Sequence, residues 1–404
     1  MRKKIAINGG NPVRDKFLVF GNPIIEKEEI EEVVDSLKSG WLGTGPKVEK
    51  FENIFKEYTG SKFAIALNSC TAGLHLSMLV SGIKKGDEVI TTPMTFCATA
   101  NSILHVGAKP VFVDIEKDSM NIDPIKIRKA LTKKTKAILP VHFAGRPCNM
   151  DAILEIAKEN NLIVIEDAAH CIEGYYRGKK IGNIGDITCF SFYVTKNIVT
   201  GEGGMVTTNN EEAADKIKMY GLHGLSRDAW KRYSDEGFKH YEVIFPGFKY
   251  NMMDLQAAIG IHQIKRINKY LKRRNDIWKK YDEAFADLPV FLPPKPETNT
   301  IHARHLYTLL LDIDNLKVDR DTIQSVLQKE NIGTGIHFIS VHLHKYYRET
   351  FGFKSDVFPN AKYISERTIS LPLSAKLTDR DVNDTIEVVR KVLWHYKKQY
   401  KYNI

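Results

Sequence analysis

A chain of 404 residues with 43% hydrophobic and 27% charged side chains is long enough for one large α/β unit and a smaller companion. No apolar run reaches the length of a bilayer span, so no membrane partner is expected. The net charge of +10 does not read as a nucleic-acid footprint, because the lysines are mostly interleaved with Glu and Asp on helical faces such as Glu26–Lys38. A dense basic cluster occurs only in the tail, His395–Lys401. The five cysteines (Cys70, Cys97, Cys148, Cys171 and Cys189) are scattered, odd in number and never spaced as a zinc pair. Together with a start, Met1–Ile7, whose apolar part is too short for a signal-peptide core, they favour a cytoplasmic location.

In chain order, Glu26–Ser39 is predicted as a helix with Ile30, Val33, Val34 and Leu37 on one face, ended by Gly40. Trp41–Pro46 is a turn-rich link, and a second helix, Val48–Tyr58, stops at Gly60. Lys62–Leu67 reads as a buried strand, and Asn68–Gly73 opens an apolar helix over Leu74–Ser81. Further strands are predicted at Glu88–Thr92, Pro110–Asp114, Ala137–Val141, Leu162–Glu166, Ile187–Phe192 and Met205–Thr208. Helices at Ala98–Val106, Pro124–Leu131 and Asp151–Asn160 lie between many of them, which indicates a mainly parallel sheet covered on both faces. After a helix at Glu211–Tyr220, Gly221–Phe248 is a long aromatic and charged loop. Met252–Phe285 is helical with a break near Tyr270, and the proline-rich Leu288–Asn299 is a connector. Arg304–Asp312 and Thr368–Leu371 as strands, with helices Asp319–Glu330 and Thr378–Tyr396, make a small α+β domain. The resulting division is a large domain over 1–250 with an N-terminal arm at 1–25, connecting helices over 251–286, and a small domain over 287–404.

Ligands of open parallel sheets sit beyond the carboxyl ends of the strands. Four groups fall at such ends. Ser69-Cys70-Thr71-Ala72 starts a helix whose free N–H groups suit a phosphate, although on local evidence alone a plain Ser/Thr cap is the better explanation. Glu166-Asp167-Ala168-Ala169-His170 places a carboxylate where it can face a pyridinium nitrogen, with His170 able to donate to a phenolic oxygen. Pro93-Met94-Thr95-Phe96 offers an aromatic face for a flat ring. Ser191–Gly204 delivers Ser191 and Lys196 into a turn followed by a glycine cluster, whose role is expected to be keeping side chains clear of a cofactor and a bulky substrate. A phosphate cup, a carboxylate at a ring nitrogen, a stacking group and a reactive lysine are what pyridoxal 5′-phosphate requires. No P-loop, dinucleotide glycine fingerprint or His-Glu-x-x-His is present, and His342-Leu343-His344 is a weak metal signal.

Taken together, these stretches resemble the DegT/DnrJ/StrS family of nucleotide-sugar aminotransferases. The resemblance runs from Asn8-Gly9-Gly10 to Leu371-Pro372-Leu373 and is most specific at Thr195-Lys196-Asn197, Gly201-Glu202-Gly203-Gly204, Glu166–His170 and Gly247–Asn251. Gly224–Trp230 and Gly333–Phe338 look most like enzymes making UDP-4-amino-4-deoxy-arabinose and related 4-amino sugars. The resemblance implies an α/β fold of the aspartate-aminotransferase type (PLP fold type I). It further implies Lys196 as the Schiff-base lysine and Asp167 at the ring nitrogen, both catalytic. Thr71, Ala72 and Ser191 would hold the phosphate, His170 the phenolic oxygen and Phe96 the ring face, while Asn251 would reach the phosphate in the partner subunit of a homodimer and His337 would face the sugar. The implied reaction is ping-pong transamination from L-glutamate, released as 2-oxoglutarate, to a nucleotide-linked keto sugar, with the cofactor cycling between its pyridoxal (PLP) and pyridoxamine (PMP) forms. Amination at carbon 3 stays open, and a non-catalytic DNA-binding role is the rival from another class. A sugar dehydratase of this fold carries histidine in place of the lysine, which Lys196 argues against. Tyr193-Val194 and Met252-Met253 depart from the family pattern and blur the substrate.

Overall fold

The structure, a computed structural model, describes residues 4–226 and 242–398. Arg227–Trp230 of the family-like stretch, part of the predicted 221–248 loop and the end of the basic tail lie outside the described residues. No described helix is long and apolar enough to cross a membrane.

The strands are β1 (Phe63–Leu67), β2 (Glu88–Thr91), β3 (Lys109–Phe112), β4 (Thr135–Leu139), β5 (Ile163–Asp167), the small hairpin β6 (Tyr175–Tyr176) and β7 (Lys179–Lys180), β8 (Ile187–Ser191) and β9 (Gly204–Thr208). Seven of them form one sheet in the order β1-β9-β8-β5-β4-β2-β3. β9 alone runs against its neighbours β1 and β8, while β8, β5, β4, β2 and β3 are parallel. The carboxyl ends of β5 and β8 therefore lie side by side in mid-sheet, where a ligand crevice is expected. Nearly every residue of these central strands is buried, as the apolar runs require for a sheet covered on both faces.

The covering helices are α1 (Lys27–Ser39), α2 (Pro46–Thr59), α3 (Cys70–Val80), α4 (Cys97–His105), α5 (Pro124–Ala130), α6 (Met150–Asn160), α7 (Glu211–Gly221), α8 (Asp254–Lys265) and α9 (Ile267–Phe285). α3 begins four residues before the predicted start, so Thr71 and Ala72 sit in its first turn. Ser69 caps it by accepting the Ala72 N–H at 3.1 Å. The break between α8 and α9 falls at Arg266 rather than Tyr270. Its guanidinium pairs with Glu26, Glu28 and Glu29 and ties the bend to the start of α1.

The sheet edge nearest α3 depends on one close approach. A Cβ on Gly204 would stand 2.4 Å from the Ser69 carbonyl carbon and 2.5 Å from the Cys70 nitrogen. Gly204→Ala is therefore expected to destabilise the fold by about 1–3 kcal/mol through overpacking. Urea unfolding checks this, and an unchanged midpoint would show that α3 can retreat freely.

The C-terminal part is built on β10 (Val290–Phe291), β11 (Tyr307–Leu311) and β12 (Thr368–Leu371), an antiparallel sheet in that order. β10 lies inside the stretch predicted as a plain connector. The helices are α10 (Arg320–Lys329), α11 (Lys345–Phe351), α12 (Pro359–Arg367) and α13 (Asp379–Tyr396). Trp278, Tyr281 and Phe285 of α9 pack with Tyr307, Leu371 and Val388 in its core, and Ile5 from the start of the chain joins them. Glu330, fully buried, accepts the Ala6 and Val13 N–H groups at 2.8 and 3.1 Å and pairs with Lys391 at 2.8 Å. A further apolar cluster, including Met94, Phe112, Phe143, Leu306, Val341 and Tyr347, joins the large sheet unit to the C-terminal part.

Candidate active site

β5 ends in Glu166 and Asp167, and strand alternation sends the two carboxylates to opposite faces. Glu166 is fully buried among structural partners: His142 Nε2 at 2.8 Å, the Gly185 N–H at 2.8 Å and the Thr188 hydroxyl at 2.7 Å. Asp167, also buried, accepts the Thr99 hydroxyl at 2.7 Å and the Ala169 N–H at 3.1 Å. Burial pushes its carboxyl pKa up, against the pull of those two hydrogen bonds and of the Lys196 charge. A cation brought against it favours the ionised form.

Lys196 lies in the turn after β8, where its N–H donates to the Tyr193 carbonyl at 2.8 Å. Phe192 closes this loop at its base, donating to Gly203 and accepting from Thr200, each at 2.9 Å. Two of the glycines that follow, Gly203 and Gly204, serve the protein's own packing. A Cβ on Gly203 would meet the Thr200 hydroxyl oxygen at 2.2 Å, Gly204 abuts α3, and Gly201 takes φ +82° in open space. Burial is the largest influence on the Lys196 amine and lowers its pKa to about 8, with Asp167 and Cys70 pulling it back up. Roughly a tenth of the amine is then neutral near pH 7, far more than for an ordinary lysine, which suits a nucleophile or general base.

Around this lysine the structure gathers three imidazoles. His170 accepts the Ala144 N–H on Nδ1 at 3.3 Å, so its proton sits on Nε2 and points a donor into the site. Burial and then the Lys196 charge keep it neutral, well below the usual histidine range. His337 lies with Nδ1 2.9 Å from the Ser370 hydroxyl and is pushed down to about 3, first by burial and then by Lys196. His305, missed in the sequence reading, has its ring centre 4.5 Å from that of His170. Thr99, Asn197, Glu173 and Arg274 were missed as well. Only the position of Asn197 next to Lys196 could have flagged it.

Of the remaining predicted residues, Thr71, Ala72 and Ser191 lie near the same point, while Phe96 and Asn251 line other cavities. Thr71 and Ala72 occupy the first turn of α3, whose leading amides have no acceptor within the helix. Cys70 at that turn is close enough to feel both Lys196 and Asp167. Ser191 closes β8, and its hydroxyl accepts the Tyr193 N–H at 3.4 Å. Phe96 precedes α4 and is 60% exposed, an unusual state for a phenylalanine beside a sheet end. Its ring centre stands 6.2 Å from that of Phe338, and both line a cavity of about 650 Å³ between α4 and residues 336–347. Asn251 lies just ahead of α8. It pairs with Leu67 at the end of β1, donates to the Thr44 hydroxyl at 2.6 Å, and lines a different cavity of about 370 Å³. Its buried Oδ1 has no hydrogen-bond partner among the described residues. His342 is buried and His344 exposed, each against a backbone carbonyl, and the described residues contain no cluster of metal-ligating side chains.

The DegT/DnrJ/EryC1/StrS aminotransferase family model matches residues 23–390. The chain belongs to this family. It is 57% identical over 381 residues to the uncharacterized protein MJ1066 of Methanocaldococcus jannaschii, covering 94% of this chain and 99% of that one. It is 51% identical to the spore coat polysaccharide biosynthesis protein SpsC of Bacillus subtilis, covering 94% and 98%. Among solved structures it is similar to the PMP form of the putative sugar aminotransferase Spr1654 of Streptococcus pneumoniae, with TM-score 0.88, 34% identity and coverage of 94% and 99%. It is also similar to Helicobacter pylori PseC, an aminotransferase involved in the biosynthesis of pseudoaminic acid, with TM-score 0.87, 29% identity and coverage of 94% and 100%. As a member of the DegT/DnrJ/EryC1/StrS family the chain is a PLP-dependent sugar aminotransferase of the α/β fold seen in these neighbours. The residues gathered at the ends of β5 and β8 fit that cofactor: a buried carboxylate, an N–H donor on a neutral imidazole, a helix N-terminus and a depressed lysine.

Proposed function

We propose that this aminotransferase moves the amino group of L-glutamate to carbon 4 of a nucleotide-linked 4-keto sugar, as a step in making amino sugars for a cell-surface polysaccharide. The observation that carries the site assignment is the meeting of Lys196, its amine lowered to about 8, with buried Asp167 and neutral His170 at the ends of adjacent strands. Lys196 would hold the cofactor covalently and, when freed, move the proton between the substrate carbon and the cofactor. Asp167 would keep the ring nitrogen protonated, His170 would donate from Nε2 to the phenolic oxygen, and Phe96 would cover the ring. Thr71, Ala72 and Ser191 would hold the phosphate through the α3 N-terminus and two hydroxyls. Bound there, pyridoxal phosphate supplies an electron sink and carries the amino group between two substrates.

His337 would face the sugar. Asn251, set apart from Lys196 with an unpartnered Oδ1, would serve the active site of a second copy of the chain, which makes the working form a homodimer. The polysaccharide context is supported by SpsC, the amino-sugar context by PseC, and the nucleotide-linked substrate by DesI, whose structure was determined with its TDP-sugar product. We place the boundaries of the large domain, the connecting helices and the small domain at 250 and 286, and the enzyme in the cytoplasm.

The test is a mass-spectrometric screen of UDP-, dTDP- and GDP-linked 4-keto and 3-keto sugars with glutamate, followed by NMR of the product. Amine on carbon 4 is expected. Amine on carbon 3, or transfer only from another donor, would overturn the finer assignment.

A further inference from the structure

Ahead of Lys196 the turn after β8 is closed by its own backbone, the Lys196 N–H to the Tyr193 carbonyl at 2.8 Å. Behind it the fixing point is a side chain. Asn197 donates from its amide nitrogen to Glu173 Oε2 at 2.7 Å and to the Ala303 carbonyl at 2.9 Å, and its Oδ1 lies 3.0 Å from His305 Nδ1. The amide cannot be turned over, since that would set its oxygen against a carboxylate and a carbonyl, groups that only accept. Oδ1 is therefore the acceptor for His305, and both hydrogens and the oxygen of the side chain are engaged.

Each anchor is itself fixed. Glu173, between β5 and β6, is buried and ion-paired with buried Arg274 of α9. Such a pair is weak evidence for stability, and its best-attested use is to fix one arrangement. Ala303 is fully buried and donates its N–H to the Gly145 carbonyl at 2.8 Å. The ring centre of His305 lies 4.5 Å from that of His170. The segment after β5, helix α9 and the lead into β11 thus meet on the residue that follows Lys196. We propose that Asn197 is a positioning residue for Lys196: its three-way clamp holds the lysine's backbone still, so that the amine leaves and returns to one point while the side chain swings. A misplacement of about 1 Å in a reacting group can cost on the order of 100-fold in rate, which makes such a clamp worth its buried charges. The inference rests on the reading of Lys196 as the lysine that is freed during turnover.

The experiment uses the holoenzyme in its PMP form, where Lys196 is free and only the protein holds the turn. Hydrogen exchange read by mass spectrometry should show segment 193–200 exchanging slowly in wild type and faster in Asn197→Ala, with β5 and β8 unchanged. In single-turnover amination of a keto sugar, Asn197→Ala should lose roughly 10-fold or more in maximal rate, while the sugar concentration giving half that rate stays close to wild type. Asn197→Asp should lose at least as much, because two carboxylates then face each other. Asn197→Asp/Glu173→Gln returns a donor to the pair and leaves one carboxylate for Arg274, and should recover much of the rate. A wild-type rate in folded Asn197→Ala, a loss that appears only in the sugar concentration required, or a double variant no better than Asn197→Asp would overturn the proposal. So would fast exchange of 193–200 in wild type, a result that needs no variant to fold. If wild type aminates no keto sugar, the proposed function fails, while hydrogen exchange still reads the clamp independently.

Discussion

Lys196→Ala is expected to raise the barrier to transamination by at least about 3–5 kcal/mol, roughly a 10²–10⁴-fold loss of rate, because it removes the side chain proposed as both covalent anchor and proton carrier. The turn should survive. It is closed by backbone bonds, Lys196 N–H to Tyr193 and the Phe192 pair with Gly203 and Thr200, none of which needs the lysine side chain. Removing a partly buried ammonium also removes a desolvation penalty, so the thermal midpoint should change little. The measurement is turnover by the purified variant with glutamate and a keto sugar, beside a thermal melt. A variant that transaminates at near wild-type rate would remove Lys196 from the mechanism. A variant that is inactive but also unfolded would leave the Lys196 assignment to the spectrum of cofactor bound by milder replacements such as Lys196→Arg.

Asp167→Asn tests the other half of the site. Asparagine can keep both local contacts, its oxygen accepting the Ala169 N–H and its nitrogen donating to the Thr99 hydroxyl, which can turn toward Thr95 at 2.6 Å. The fold should therefore hold, and what is lost is the negative charge proposed to face the ring nitrogen. A hydrogen bond to a charged partner contributes about 1.5–3 kcal/mol, so cofactor should bind roughly 10- to 150-fold more weakly. Turnover should fall further, because an unprotonated ring is a poorer electron sink. Equilibrium titration of the variant with pyridoxal phosphate reads the first effect and single-turnover kinetics the second. Wild-type affinity and rate in a folded Asp167→Asn would place the ring nitrogen elsewhere.

Much of this site was legible from local pattern. Asp167 and Lys196 stand where apolar strands run out, and a parallel sheet puts such ends on one edge. The α3 turn was legible for the same reason, because Ser69 announces a cap. The reversal of β9 was not, since an apolar pentapeptide reads the same in either direction. Nor was the network behind the lysine. Glu173 and Arg274 are 101 residues apart, and Asn197 and His305 are 108 apart, so only tertiary folding brings them together. Each looks in sequence like an ordinary polar residue of a helix, a turn or the start of a strand. α11 and α12 escaped because the aromatic stretch around them has no clear helical period, although Pro359 stands at the first turn of α12 as a start signal. The glycine cluster was visible but its packing role was not: Gly203 and Gly204 make room for Thr200 and for the first turn of α3.

The aromatic cavity is shared between separate stretches of chain: Phe96 hangs from the large sheet, Phe338 and the rest of 336–347 come from the C-terminal part, while the lysine and carboxylate lie at the ends of β8 and β5. On the function proposed above, chemistry and recognition would be written in different segments, and drift in the aromatic wall would retune which sugar is admitted while the reacting groups stay anchored to the central strands. Such a division gives a lineage of enzymes freedom to diversify its products one loop at a time.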